Sequence, residues 1–376
     1  MGHPKNLAPL SVRVIPDLPA VSKEFDYSVP PDWAENGLAS RIRVGSMVRI
    51  QLGNRSIGAW VSEINPESVA GITLQPLKKL SSEGPSVQVV SLARWAAERW
   101  HGPVSRLLKT SSPRRMIKAI PPERITKVID MPKNQKVESA FISGTTVVRL
   151  PPNGDRWPYI LGAVSKGNAL ILLPSVAETN IVTSRLKRLG VYVGAYNTDW
   201  SVGLSGGTIV GSRSAAFASV KDLAAILMID EHDESFQEES APTWNARDVL
   251  VERAQREEIP AVFISPIPTP EICHHARMVN VGREDEKQAW SKVRVVDPRE
   301  DELSVRGLWP RVTVDALKNA ERPVVVLNRT GRSRLLACGE CTELVICTHC
   351  GGAMAQPTKN SLECARCGES RPVLCS

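Results

Sequence analysis

Three features of the 376-residue chain predict a multidomain α/β protein. Short runs of alternating apolar residues fill the first 80 or so positions, continuous apolar runs alternate with helical stretches from Thr145 onward, and seven of the eight cysteines crowd between Cys338 and Cys375. Alternation with period two marks half-buried strands, whereas unbroken β-branched runs separated by helices mark a parallel sheet covered on both faces. The length suits two or three domains of about 100–200 residues. The expected order is a small N-terminal β domain, a short helical segment, a doubly wound lobe, and the start of a second such unit.

In "GSMVRIQLGNRSIGAWVSEI", Gly45 to Ile64, the alternation of Val48, Ile50 and Leu52 breaks at Gly53-Asn54 and resumes at Ile57, Ala59 and Val61. This is the pattern of a β-hairpin. Leu92, Trp95, Ala96 and Arg99 then recur at helical spacing, and a second short helix is expected to end near Lys109. Residues 111–140, rich in Pro, Lys and Arg, read as a linker. Beyond it, "TVVRL", "NALILLPS", "VYVGAY", "TIVGS", "AILMID" and "AVFIS" are the buried strands of the lobe, whose ligand site belongs at their carboxyl ends. A second unit of the same kind is expected from "ERPVVVLNRTGR", Glu321 to Arg332. The boundaries expected are 1–83 for the β domain, 84–144 for the helical segment and linker, 145–300 for the lobe and 301–376 for the cysteine-rich remainder.

The formal charge of +7 is unevenly placed: residues 1–125 hold 17 Lys/Arg against 10 Asp/Glu, which leaves 30 of each sign for the rest. The basic N-terminal third is either a solvated face or a surface for nucleic acid, where phosphate neutralisation supplies most sequence-independent affinity. No apolar run approaches the roughly 18–20 residues of a membrane span, and "MGHPKNLAPL" lacks the pattern of a secretory leader. A cytoplasmic protein without a membrane partner is therefore expected.

Cys338/Cys341, Cys347/Cys350 and Cys364/Cys367 are three C-x-x-C pairs, and Cys375 is a seventh candidate. A C-x-x-C turn presents half of a tetrahedral zinc site, and two such turns close it. If Cys347, Cys350, Cys364 and Cys367 form one complete site, then Cys338, Cys341 and Cys375 form a second with one ligand missing, because Ser376 follows. The expectation is two zinc sites, one incomplete in a chain that looks truncated. "ILMIDEHDESF", Ile226 to Phe236, delivers Asp230 and Glu231 from a buried strand in the manner of a magnesium-nucleotide site. The facing loop in "VVRLPPNGDRWPYILGAV" is poorly suited to phosphate. Pro151 and Pro152 lack N–H donors, and Gly154 is followed by Asp155 and Arg156 where a phosphate loop has Lys and Ser/Thr. Gly154, Asp155, Arg156, Asp230 and Glu231 thus make a degenerate nucleotide site, and binding of ATP with magnesium is doubtful.

In this order the segments resemble the PriA helicase family, the primosomal protein N-prime of replication restart. The likeness is carried by "FDYSVP" at Phe25, "VGSMVRIQLGNRSIGAWV", Leu77-Lys78, "LARWAAERWHGPVSRLL", "LLPSVAET" at Leu172, "GSRSAAFA" at Gly211, the acidic segment with Ala246 to Asp248, and "LNRTGRSRLLACGEC" before the cysteine pairs. The resemblance implies an N-terminal domain binding DNA 3′ ends, a RecA-like helicase lobe, and a second lobe carrying a zinc-binding insertion with nested pairing. It implies that Phe25, Asp26, Tyr27, Gly45 and Lys78 line the pocket for a 3′ end and that Arg213 contacts DNA. It further implies forks, 3′ ends and single strands as DNA partners, with primosome proteins and a replicative helicase loader, at the nucleoid. The chain departs from the family at the phosphate loop, in the shortened region before the lobe, at "SPIPTP" (Ser265 to Pro270) and at Ser376, and in this it resembles actinobacterial members without the ATPase motifs. The expected function is fork recognition and primosome assembly without helicase activity. The rival expectations are an active ATP-dependent 3′-to-5′ helicase with a divergent phosphate loop, or a nonfunctional fragment or zinc-ribbon adaptor.

Overall fold

The computed structural model describes residues 11–67, 73–124, 134–280, 282–297, 309–326 and 336–374. It divides into two compact units, Met1–Trp290 and Ser291–Ser376.

The first unit begins with an antiparallel five-stranded sheet of β1 (Ser11–Pro16), β2 (Phe25–Ser28), β3 (Met47–Leu52), β4 (Arg55–Ile64) and β5 (Lys79–Ser82), in the order β2-β1-β4-β3-β5, with a short helix α1 (Pro31–Glu35) after β2. The expected hairpin is β3–β4, in register from Met47 opposite Trp60 to Leu52 opposite Arg55. Its inward set, Val48, Ile50, Ala59 and Val61, packs with Val12, Val14, Tyr27 and Trp33. At one edge two glycines cross. Gly45 has φ +89°, and a Cβ on it would lie 1.8 Å from the Pro85 carbonyl oxygen; a Cβ on Gly84 would lie 2.0 Å from the Gly45 carbonyl oxygen.

Next come α2 (Val87–Arg99) and α3 (Val104–Ser111). Ser86 caps α2, its hydroxyl accepting from the Val89 N–H, and the helix buries Val89, Val90, Leu92, Ala93, Ala96 and Ala97 on one stripe. That stripe and Leu107 and Leu108 of α3 share one core with Trp60 of the β domain and with Leu170, Phe217, Trp244, Leu250 and Phe263 of the lobe. Polar ties follow the same route: Trp60 donates to the Ser112 hydroxyl (2.8 Å), Tyr196 to the Thr110 carbonyl (2.8 Å) and Trp200 to the Ser111 carbonyl (2.9 Å).

Part of the stretch read as a linker folds. After residues 125–133, which lie outside the description, Asn134 caps α4 (Gln135–Ala140), and Val137, Ala140 and Phe141 are buried against the lobe. Three apolar residues at helical spacing outweigh the basic, proline-rich composition around them.

The lobe comprises β6 (Thr145–Arg149), α5 (Trp157–Ser165), β7 (Asn168–Leu172), α6 (Val176–Arg188), β8 (Val193–Ala195), α7 (Trp200–Leu204), β9 (Thr208–Gly211), β10 (Leu223–Ile229), α8 (Ala246–Glu257), β11 (Ala261–Ser265), α9 (Pro270–His275), β12 (Arg277–Asn280) and α10 (Arg283–Ala289). Its sheet runs β12-β6-β11-β10-β7-β9-β8, and the pairings are parallel. Successive residues of each central strand enter opposite cores: Leu170, Leu172, Ile226 and Met228 one, and Ala169, Ile171, Leu227 and Ile229 the other. This is why the strands read as unbroken apolar runs.

In the second unit, α11 (Arg311–Asn319) precedes an antiparallel ribbon of β13 (Met354–Thr358), β14 (Ser361–Cys364) and β15 (Ser370–Pro372). The stretch from Glu321 expected to open a second parallel sheet forms no strand over 321–326, where Val324 and Val326 are exposed; residues 327–335 lie outside the description.

Gly45→Ala is expected to destabilise the first unit by about 2–4 kcal/mol, since a left-handed backbone and a backbone clash both oppose the methyl group. Gly53→Ala, at φ +56° with nothing within 4 Å of the added Cβ, should cost only about 1–2 kcal/mol. Urea unfolding of both variants measures the difference, and equal losses would contradict the crossed-glycine contact.

Candidate nucleic-acid interface and metal centre

In the β domain, β2 and the β3–β4 turn converge on a pocket of about 580 Å³ lined by Phe25, Asp26, Tyr27, Gln51, Leu52 and Gly53, with Thr73 to Gln75 at its side. Arg13 of β1 reaches Asp26 with two nitrogens, Nε to Oδ1 at 2.8 Å and a terminal nitrogen to Oδ2 at 3.1 Å, and its other terminal nitrogen bonds Glu63. The Tyr27 ring is buried and its hydroxyl donates to the Gln51 carbonyl at 2.7 Å; burial raises its pKa. Lys78 donates to the Gln51 side chain, which places an ammonium group beside the same turn. Gly45 is elsewhere: its N–H donates to the Val61 carbonyl, and its open side is filled by Pro85. The glycine at the pocket is Gly53. Its signal in the sequence, Gly-Asn between alternating runs, reads as a turn, and only the pairing register shows that the turn faces Phe25 and Asp26.

At the carboxyl end of β10 the acidic pair is spent on protein partners. Asp230, at φ +56°, receives the Arg156 guanidinium at 2.9 Å. Glu231, whose side chain is 0% exposed, accepts from Arg247 (3.2 Å), from the Thr269 N–H (3.2 Å) and from the Thr269 hydroxyl. Next to it, His232 Nδ1 and the Ser265 hydroxyl lie 2.9 Å apart, so the "SPIPTP" segment closes over the acids from the β11 side. Burial pushes the Asp230 carboxyl above its ordinary 3.8, while Arg156 and His232 pull it back.

The facing loop is closed too. The Gly154 N–H donates to the Pro151 carbonyl at 2.8 Å, and a Cβ on Gly154 would meet the Leu150 side chain at 2.6 Å. Asp155 turns toward its own loop, its Oδ1 accepting from the Trp157 N–H at 2.9 Å beside the start of α5. Arg156 supplies the countercharge to Asp230. Asp230 and Glu231 thus each face a guanidinium group.

Arg213 is likewise committed. It donates to the carbonyls of Ser235 (3.0 Å) and Gln237 (2.7 Å) and pairs with Glu238 (3.0 Å), which anchors the loop that follows the acids.

In the second unit, the sulfurs of Cys347, Cys350, Cys364 and Cys367 lie within 4.8 Å of one another, with Cys347 to Cys367 at 3.6 Å and Cys350 to Cys364 at 3.5 Å. A tetrahedron with metal–sulfur bonds of about 2.3 Å has edges of about 3.8 Å, so the four sulfurs fit a zinc-sized ion. The two turns are copies. In each, the first cysteine's N–H donates to the carbonyl five residues on and its carbonyl accepts from the N–H four residues on, with Gly351 (φ +67°) or Gly368 (φ +77°) at that fourth position. Cys338–Cys341 repeats the pattern with Thr342 at φ +62° in the glycine's place. Cys375, the expected companion of Cys338 and Cys341, lies outside the described residues. Backbone N–H groups of Cys367 and Arg366 hold the Cys364 thiol down, to about 6. For Cys367 the Glu369 N–H also favours thiolate, but burial and the sulfurs of Cys350, Cys347 and Cys364 outweigh it, to about 12. Clustered thiolates oppose one another's ionisation, and a cation among them removes that opposition.

A doubly wound parallel lobe with an acidic segment at its strand ends, joined to a small β domain that carries an end pocket, defines an α/β protein with a candidate nucleic-acid interface. Residues 13–113 match the family model of the PriA 3′DNA-binding domain (3′BD). The chain is 22% identical to the replication restart protein PriA of Rickettsia conorii over 97% of its own length and 61% of that protein's. It is 27% identical to that of Bacillus subtilis over 56% of this chain and 29% of that protein, and 26% identical to that of Thermotoga maritima over 54% and 30%. The 3′DNA-binding match together with PriA relatives spanning 97% of the chain supports a member of the PriA replication-restart family. It spans about 61% of the length of the Rickettsia relative. Among solved structures, the Pyrococcus furiosus Hef helicase domain aligns at TM-score 0.31 and 14% identity over 43% of this chain and 39% of that one.

Cys350→Ser should lower the metal content of the purified protein by about one equivalent and expose the β13–β15 ribbon to proteolysis, as read by plasma emission and limited digestion; an unchanged content would rule out the four-sulfur site. Because Asp230 holds its proton above its ordinary 3.8, it favours the fold in acid and loses that contribution as pH rises through its folded value. Arg156→Gln removes a group that lowers this pKa, so a ¹³C titration of the Asp230 carboxyl should move upward; a downward move would contradict the pairing.

Proposed function

We propose that this chain is a DNA-binding replication-restart protein that recognises 3′ ends at abandoned forks and supports primosome assembly and helicase reloading without itself unwinding DNA. The observation that carries the absence of helicase activity is the closed cluster of Asp155, Arg156, Asp230, Glu231 and Arg247. Magnesium-nucleotide chemistry needs carboxylates available to water-bound metal and N–H donors available to phosphate. Here Asp230 and Glu231 are held by guanidinium groups, and the Asp155 carboxylate bonds the Trp157 N–H at the start of α5. Opening this cluster to admit a nucleotide would separate a half-buried and a buried ion pair, and breaking a buried pair costs about 3–5 kcal/mol.

DNA recognition rests on the pocket beside Phe25. In this reading the Phe25 ring stacks on the terminal base, Asp26 accepts from the 3′-hydroxyl, Lys78 holds a phosphate and Tyr27 fixes the Gln51 backbone. The 3′-hydroxyl shares Asp26 with Arg13, whose two nitrogens hold the carboxylate in place. Zinc is the metal proposed for Cys347, Cys350, Cys364 and Cys367, with Cys338, Cys341 and Cys375 contributing to a second site. Bound there it supplies a structural crosslink between turns too small to hold a core of their own. Activity belongs to the cytoplasm, at DNA, with primosome proteins as partners.

Forked DNA with a 3′-hydroxyl should bind with an affinity that falls steeply with salt, and the fork should stimulate no ATP hydrolysis. Turnover that Asp230→Ala abolishes would overturn the proposal. Asp26→Ala should erase the preference for a 3′-hydroxyl over a 3′-phosphate end, an effect of about 10-fold for a hydrogen bond to a charged group, as measured by fluorescence anisotropy.

A further inference from the structure

A cavity of about 570 Å³ lies where the β domain, the start of α2 and α8 meet beside the first residue of β10. Leu223 in its wall opens that strand, and Asp230 follows the strand's other end. Seven residues at about 3.3 Å each therefore put about 20 Å between the cavity and the acid cluster. It shares no lining residue with the pocket beside Phe25. Its walls divide chemically. Ile120, Leu204, Val220 and Leu223 form an apolar side, while Arg43, Lys221, Arg253 and Arg256 form a cationic one against two carboxylates, Asp222 and Glu257.

Arg253 is the telling residue. It is 2% exposed; its Nε bonds Glu257 at 2.7 Å, and one terminal nitrogen donates to the carbonyls of Ala216 (3.2 Å) and Ala218 (2.7 Å). Its other terminal nitrogen has no acceptor among the described residues, on a side chain that lines the cavity. An enclosed guanidinium attracts an anion more strongly than a solvated one, because little water competes. Three residues on, Arg256 gives Nε to Glu252 and one terminal nitrogen to the Ser91 hydroxyl, again leaving the other without an acceptor among the described residues. Lys221 pairs with Glu123 through side chains 41% and 54% exposed, and exposed pairs of this kind contribute little and exchange readily for an incoming anion. Arg43 differs, since its three nitrogens are spent on Glu83 and on the carbonyls of Gly84 and Pro85; it is wall rather than donor. Of the two carboxylates, Glu257 is held by Arg253 and Asp222 is exposed.

Two open guanidinium nitrogens and an exchangeable ammonium group around one space suit a dianion, and the apolar side suits the ring or chain that carries it. We infer that this cavity binds a small organic phosphate, whose oxygens accept from Arg253, Arg256 and Lys221 and whose apolar part lies on Leu204, Val220 and Leu223. Such a ligand touches the β domain, α2 and α8 together, so it stabilises the first unit without occupying the end pocket or the acid cluster. The site stands independently of the DNA-binding reading.

Phenyl phosphate, an apolar ring carrying a dianion, is the probe, with inorganic phosphate and phenol as its two halves. Calorimetric titration of the full chain at constant ionic strength should show one site for phenyl phosphate, at least 10-fold tighter than inorganic phosphate, and no binding of phenol over the same range. The melting temperature should rise with phenyl phosphate concentration. Lys221→Gln combined with Arg256→Gln removes two half-exposed cations and leaves Arg253 with its carbonyl bonds, so the fold is kept; this variant should bind phenyl phosphate at least 10-fold more weakly at an unchanged melting temperature of the unliganded chain. Absence of phenyl phosphate binding at millimolar concentration overturns the inference, as does unchanged affinity in the double variant. Equal affinity for phenyl phosphate and inorganic phosphate would reduce the cavity to a bare anion contact and overturn the organic ligand. Displacement of phenyl phosphate by an oligothymidylate would assign the cavity to the DNA backbone and overturn the small-molecule assignment.

Discussion

A parallel sheet of seven strands must be covered on both faces, and much of this chain follows from how that cover is supplied. The lobe's own helices α5 and α6 pack over one face. On the other, α8 is joined by α2 and α3, which precede the lobe in sequence and belong to the stretch matched by the 3′DNA-binding model. Burying a large apolar side chain contributes about 1.5–3 kcal/mol, so the run from Val89 to Leu108 supplies a substantial part of the lobe's stability. The β domain is fixed to the lobe by this shared core, and the tryptophan and tyrosine hydrogen bonds onto residues 110–112 set its orientation.

The same economy of partners explains the acid cluster. Carboxylates at the end of a buried strand require a countercharge, which a nucleotide-bound metal ion supplies when one binds. Here Arg156 and Arg247 face those carboxylates. In Pro-Pro-Asn-Gly-Asp-Arg, Asp155 bonds the Trp157 N–H beside the start of α5 and Arg156 reaches Asp230, so both charged residues of the loop have partners within the lobe.

Much of this was legible in the residues. The hairpin at Gly53-Asn54, the amphipathic α2 and the apolar strands of the lobe follow from periodicities of 2 and 3.6 that burial enforces. The paired sulfurs follow from C-x-x-C spacing. What stayed hidden depends on pairing between distant segments. That Gly45 serves a backbone crossing and Gly53 the pocket is decided by the register of β3 and β4. That Arg213 binds carbonyls of the loop after β10 and that residues 135–140 form a helix depend on neighbours far along the chain or on the Asn134 cap. Composition misled at that helix because basic and proline residues surround three apolar positions.

The crossed glycines at Gly45 and Gly84 have one more consequence. They hold the β domain against the strap that leads into α2, and that strap enters the core shared with the lobe, so a side chain larger than hydrogen at either position would push apart the two backbones on which this junction is built.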